Sequence, residues 1–315
     1  MYHHQKQHLT GYNSSITSFE LVGLNNWTTR NITRTDSMFY RTGYYATTWN
    51  IGNLSSWDTS NVTDVYMMFN QAGYNAPTWN IGDLSLWDTS SVTNMQGMFD
   101  RAGYSATTFN IGNLSNWDTS KVTIMSFVFS SAGYSATTWS IGDLSDWDTS
   151  KVTNMSYMFS NAGRSATIWN IGSLYNWNTS KVTRMDSMFS EAGYSTTTFD
   201  IGDLSNWDTS KVTNMSYMFY QAGRNATTWN SIGTLKVYAT NIYRMFYSCP
   251  KAKATLNIYS NPASGTSGYD QAFNGAATDS SALITVNYSS ATTNIDNIIA
   301  TKSSDSNVVK GIQLD

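Results

Sequence analysis

Apolar residues recur along the chain in strict columns, and the columns repeat every thirty positions. Tryptophan stands at Trp27, Trp57, Trp87, Trp117, Trp147, Trp177 and Trp207. A β-branched column runs Ile32, Val62, Val92, Val122, Val152, Val182 and Val212. A third runs Val65, Met95, Met125, Met155, Met185 and Met215, and a fourth Phe39, Phe69, Phe99, Phe129, Phe159, Phe189 and Phe219. Polar residues fill the positions between. A unit this short cannot bury its apolar side alone, so stacked copies must share one continuous core. The pattern therefore predicts a repeat solenoid.

Within one unit, Val152, Met155, Met158, Phe159 and Ala162 are spaced as on one face of a helix, which predicts a short helical turn starting near Asn154. Gly163, with Gly43, Gly73, Gly103, Gly133, Gly193 and Gly223, sits where a left-handed residue would end it. The β-branched and aromatic content of Ser150 to Thr153 and of Thr167 to Ile171 predicts short strands. Each would pair in parallel with its equivalent in the next coil about 4.8 Å away. Asp58, Asp88, Asp118, Asp148 and Asp208, with Asn178 once, follow the tryptophan and suit a tight Asx turn. A calcium site is the alternative reading of that carboxylate column, and the exchange for Asn178 argues against it.

The register divides the chain into an N-terminal segment, 1–20, read as an incomplete cap, tandem repeats over 21–234, and degenerate repeats with a C-terminal cap over 235–315. Ser231 breaks the period, and Asn241 to Phe246 reads as a shortened copy of the Met-Phe turn. Leu256 to Ile258 and Ile284 to Asn287 read as strand elements, and Asn294 to Thr301 as a terminal helix.

Charged residues make up only 12% and the net charge is -3, so the broad positive field that nucleic-acid binding requires is missing. Cys249 is the single cysteine, which excludes an internal disulfide and a cysteine-ligated metal centre. All three histidines lie within Met1 to Thr10, a polar stretch without the apolar segment of a signal peptide. No apolar run approaches membrane-spanning length, so direct membrane insertion is not expected. With no glycine-rich phosphate loop and no histidine beyond His8, the expectation is a protein without catalytic residues, cofactor or metal.

The string Trp-Asp-Thr-Ser-Lys-Val-Thr-Asn-Met-Ser-Tyr-Met-Phe at Trp147 to Phe159, repeated at Trp207 to Phe219, resembles the BspA-like leucine-rich repeat surface proteins of bacteria. The likeness covers roughly Trp27 to Gly233. It implies a leucine-rich-repeat-like solenoid displayed at the cell surface or secreted, engaged in adhesion and without enzymatic activity. The unit here is longer than is usual in that family by a stretch such as Gly163 to Trp169, so its curvature is expected to differ.

Two columns are the candidate binding surface. Tyr44, Tyr74, Tyr104, Tyr134 and Tyr194 share a column with Arg164 and Arg224, and a column that accepts arginine is expected to be half exposed. Tyrosine and arginine suit recognition of a protein or glycan on another cell or matrix; the plainer reading is packing after the helix stop. Lys121, Lys151, Lys181 and Lys211 form the one basic stripe, either steering an acidic partner or serving as a solvated face. The paired threonines, such as Thr47 with Thr48 and Thr137 with Thr138, raise a minor ice-binding reading. On a regular strand only one of each pair would face outward. Trp49, Trp79, Trp139, Trp169 and Trp229 exchange with Phe109 and Phe199, which suggests a fixed core volume more than a sugar platform. The expected function is an interaction module of adhesion type, and the rival is a structural spacer or stalk of a larger surface or phage-fibre protein.

Overall fold

The computed structural model describes residues 17–315. The histidine-containing start and most of the segment read as an N-terminal cap lie outside the described residues. From Ser18 onward the chain makes repeated coils in which each residue lies beside its equivalent one period away, as the parallel bridges Asn94↔Ile124, Ile124↔Asn154 and Asn154↔Arg184 record.

The apolar columns face inward. Val152, Met155, Met158, Phe159 and Ala162 are fully buried, and the same holds for their equivalents in the central coils. The indoles stack on one another, with Trp117 to Trp147 at 6.2 Å and Trp147 to Trp177 at 6.5 Å, both nearly parallel. Each indole N–H also reaches back to the preceding coil, as Trp147 Nε1 does to the Leu114 carbonyl at 3.0 Å and Trp177 Nε1 to that of Leu144 at 2.9 Å. That bond satisfies a polar atom which burial would otherwise leave costly. Among the described residues Trp27 stacks on Trp57 alone, and it is 52% exposed. The phenylalanine column stacks in the same way, with Phe159 to Phe189 at 5.7 Å. The second tryptophan column is buried as well, and Phe109 and Phe199 take their places in it between Trp79 and Trp139 and between Trp169 and Trp229.

The short helical turn predicted for each coil is absent, and a run of β-turns occupies the segment instead. In the fifth unit Met158, Ser160 and Ala162 donate to the carbonyls of Met155, Tyr157 and Phe159. The alternate amides of Met155, Tyr157, Phe159 and Asn161 donate to Arg184, Asp186, Met188 and Ser190 in the next coil, at 2.7 to 3.1 Å. Tyr157 and Asn161 are left-handed, at φ +58° and +57°. Left-handed residues cannot continue a right-handed helix, and a neighbouring coil offers every second amide a better acceptor than the residue four back. The apolar spacing matches a helix by coincidence, because successive tight turns also return a side chain to the core every three or four residues. Gly163 is accordingly not a helix stop; its own amide donates to Ala132 of the preceding coil at 3.1 Å.

The strands are short and parallel. Ser18–Glu20 (β1) pairs with Thr48–Asn50 (β2), Thr108–Asn110 (β3) with Thr138–Ser140 (β4), and Thr198–Phe199 (β5) with Thr228–Trp229 (β6). The second predicted strand, Ser150 to Thr153, is a turn followed by extended backbone. Its ladder is carried by Thr153, whose amide and hydroxyl both donate to the Thr123 carbonyl. Asx turns close the corners between. Asp148 Oδ1 accepts from the Ser150 amide at 2.8 Å, Asn154 Oδ1 from Ser156 at 2.9 Å, and Asn170 Oδ1 from Gly172 at 2.9 Å.

Residues 235–315 continue the stack in a modified form. Thr234–Val237 (β7), Lys253–Ile258 (β8), Leu283–Tyr288 (β9) and Val308–Gln313 (β10) make a four-stranded parallel sheet in chain order, with Ile295–Ile299 (α1) before the last strand. The alternating burial of β8 places Ala254, Leu256 and Ile258 in the core. No helix among the described residues is long and apolar enough to cross a membrane.

Candidate binding surface

The turn segment of each coil brings its variable side chains to one face. Tyr44, Tyr74, Tyr104 and Tyr134 stack there with ring centroids 4.6, 4.5 and 4.4 Å apart and planes within 14°. All are half-buried, as the arginines in their column predict. Arg164 occupies the next place, with its guanidinium 4.1 Å from the Tyr194 ring centroid and 5.3 Å from that of Tyr134. It also pairs with Glu191 at 2.7 Å. Arg224 ends the column in solvent. Burial pushes the Tyr104 hydroxyl well above the ordinary phenol range and raises that of Tyr74, and neighbouring phenols add to both shifts. Because the rings cover one another, their faces are not open to a sugar; what faces outward is edge and hydroxyl.

Lys121, Lys151, Lys181 and Lys211 are all exposed, on a different stretch of the coil from the tyrosines. Asp118 and Asp148 beside them are held below the usual carboxylate range, first by the hydroxyl and amide of Ser120 and Ser150 and only weakly by the lysines. The lysine row is thus a solvated stripe bordered by ionised carboxylates. Among the described residues no three His, Cys, Asp or Glu side chains converge as a metal ligand set. Cys249 is buried, its thiol pushed far up by desolvation and directed at the Phe219 carbonyl.

The sequence reading missed most of this face. Beyond the one tyrosine column, the turn segments carry Tyr40, Tyr66, Phe127, Tyr157, Tyr217 and Tyr220, and Phe127 stacks on Tyr157 at 4.6 Å. Fourteen of the twenty tyrosines and seven of the eight arginines lie in these turn segments. The signal was present in the repeats themselves. Columns that hold the core stay apolar and change seldom from copy to copy, whereas the column Arg34, Asp64, Asn94, Ile124, Asn154, Arg184, Asn214 changes at every step.

The threonine reading also needs correction, since Thr47 and Thr48 are both exposed, as are Thr137 and Thr138. The first of each pair lies in a bend before the strand. The Thr47 and Thr48 amides both donate to the Thr17 carbonyl, and strict alternation starts only after them.

Beneath the turn face lies an unusual polar pair. Asn70 Nδ2 donates to Asp100 Oδ2 at 3.0 Å, while Asn70 Oδ1 and Asp100 Oδ1 are buried without partners. Burial raises the Asp100 carboxyl above the ordinary range, against the lowering effects of Ser130, Arg101 and Asn70. A raised folded value means that the neutral form is favoured by folding. The associated stability is therefore present at acid pH and is lost as pH rises through that value. Asp100→Asn is expected to stabilise the protein by about 1 kcal/mol at neutral pH, with the gain vanishing below about pH 4. Urea midpoints measured across that range check it; a gain that grows on acidification would contradict the assignment.

The fold and this face define a tandem-repeat protein with an invariant apolar interior and a variable, tyrosine- and arginine-rich exterior. The chain belongs to the family described as Mycoplasma protein of unknown function, DUF285, whose model matches it in three overlapping stretches, 7–134, 71–174 and 133–259. No curated protein and no solved structure matches the chain.

Proposed function

We propose that this chain is a non-enzymatic interaction module, displayed at a cell surface or secreted, that binds a protein or glycan of another cell or matrix through its turn face. In this reading the stack is a solenoid of leucine-rich-repeat type, akin to the BspA-like surface proteins, and it holds the face rigid. The observation that carries the reading is the segregation of tyrosine and arginine onto turn segments whose identity changes between copies. Those residue types dominate recognition surfaces because they give large contact area at low entropic cost. A spacer would have no use for them, since a stalk needs only the invariant columns.

Beads coated with the chain are expected to adhere to cells or matrix, and the combined substitution of Tyr74, Tyr104, Tyr134 and Arg164 by alanine to reduce adhesion about 10-fold or more. Changing Lys121, Lys151, Lys181 and Lys211 to glutamine should act chiefly on the salt dependence of attachment. Coated beads that attach no better than beads carrying an unrelated protein would instead favour the spacer or stalk.

A further inference from the structure

On the strand side of the stack one coil departs from its neighbours. At Thr107, Thr137, Thr197 and Thr227 both the amide and the side-chain hydroxyl donate to the carbonyl one coil earlier. The equivalent residue in the second coil is Pro77, which has neither donor. The segment 77–80 forms no strand, and β2 and β3 on either side of it pair away from it; 168–170 likewise forms only a single bridge although Thr167 stands in the equivalent place. Its link to the following coil is the Pro77 carbonyl, which accepts from both the amide and the hydroxyl of Thr107. A cleft of about 560 Å³ opens between this segment and the following coil. That is within the size range of small-molecule sites.

Its lining mixes apolar surface, Pro77 and Trp79 included, with polar groups. Thr78, Asn80, Asp83, Thr108 and Asn110 contribute hydroxyls, amides and one carboxylate, and no lysine or arginine is among its walls. The Asx turns fix how these groups are used. Asn80 Oδ1 and Asn110 Oδ1 accept from the amides of Gly82 and Gly112, which leaves both amide NH2 groups to donate outward. Asp83 Oδ1 accepts from the Ser85 amide, leaving its second oxygen to accept. Trp79 lies in the wall but is sandwiched between Trp49 at 5.6 Å and Phe109 at 4.9 Å, so it offers an edge and no stacking face.

We propose that this cleft binds a neutral saccharide. Fixed donors and acceptors without a cation select against phosphate, sulfate and carboxylate ligands, and a single carboxylate with paired amides and hydroxyls suits vicinal hydroxyl groups. The proposal rests on the interaction-module reading and adds the ligand class, on a face other than the tyrosine ladder. The donors that Pro77 lacks would face the preceding coil, whereas the cleft lies toward the following one, so the site is assigned from its lining alone.

The test is a neutral-glycan array followed by calorimetric titration of the full chain with the methyl glycosides that score. Wild type is expected to bind in the weak, millimolar-to-micromolar range typical of a single small site. Asn110→Ser, which installs the residue that Ser140 supplies in the next coil and removes one amide donor from the wall, should weaken binding about 10-fold or more. Asp83→Asn keeps the Asx turn, since Asn53 and Asn113 hold the same position, and should cost several-fold by removing the acceptor. Both variants place at a position what other coils already carry, so both fold. Absence of any neutral glycan from the array, or binding unchanged in both variants, overturns the proposal. Adhesion of coated beads that free sugar does not compete, with an empty array, sinks the cleft and leaves the adhesion reading standing. Sugar binding without bead adhesion does the reverse.

Discussion

Trp147→Ala is expected to destabilise the protein by about 3 to 5 kcal/mol, whereas Trp27→Ala costs under about 1 kcal/mol, although the two tryptophans occupy the same place in the repeat. Trp147 is buried, stacks on Trp117 and Trp177, and donates its indole N–H to Leu114. Its loss leaves a cavity that the neighbouring rings cannot fill, because each is fixed by its own stack, and it leaves the Leu114 carbonyl without the indole donor. Trp27 touches one ring and is half in water. In a stack stabilised between nearest neighbours, a weakened central coil also uncouples the two halves. Urea unfolding of Trp147→Ala should therefore show a broadened or two-step transition, and that of Trp27→Ala a single shifted one. Equal midpoints for the two variants would mean that the columns do not act as a shared interior.

The apolar columns were legible because their period alone places Val152, Met155 and Phe159 above their equivalents, whatever the local conformation. The local conformation itself was not legible. A helical spacing and a run of β-turns put the same residues inward, and what decides between them is the acceptor supplied by the next coil, as for Tyr157 N–H on Asp186. No single unit contains that information. The Asx turn at Asp148 was readable because its partner, Ser150, is two residues away. The indole bond of Trp147 to a carbonyl thirty-three residues earlier was not. The candidate surface was half read: the Tyr44 to Arg224 column shows itself by tolerating arginine, but Tyr157, Phe127 and Arg184 lie in columns whose only mark is that they vary.

Gly163→Ala is expected to cost about 3 kcal/mol or more, and Gly52→Ala about 1 kcal/mol, although both glycines are left-handed, at φ +51° and +76°. The backbone penalty is shared by both. At Gly52 an added methyl group meets nothing within 4 Å, so that penalty is the whole effect. At Gly163 the methyl would lie 2.7 Å from Trp139 Cγ and 3.0 Å from its Cβ. The ring cannot retreat, since Phe109 and Trp169 stack on its two faces at 6.3 and 5.9 Å. The added cost is overpacking between coils. Because the clash is with the first two carbons of the side chain, Trp139→Phe does not relieve it, even though phenylalanine fills that column at Phe109 and Phe199. Stability of the two single variants and of the Gly163→Ala, Trp139→Phe pair, measured by urea titration, separates the terms. Equal losses at Gly52 and Gly163 would show that the recurrent glycine serves only its own turn and not the approach of one coil to the next, and rescue by the phenylalanine would place the clash farther out on the indole ring.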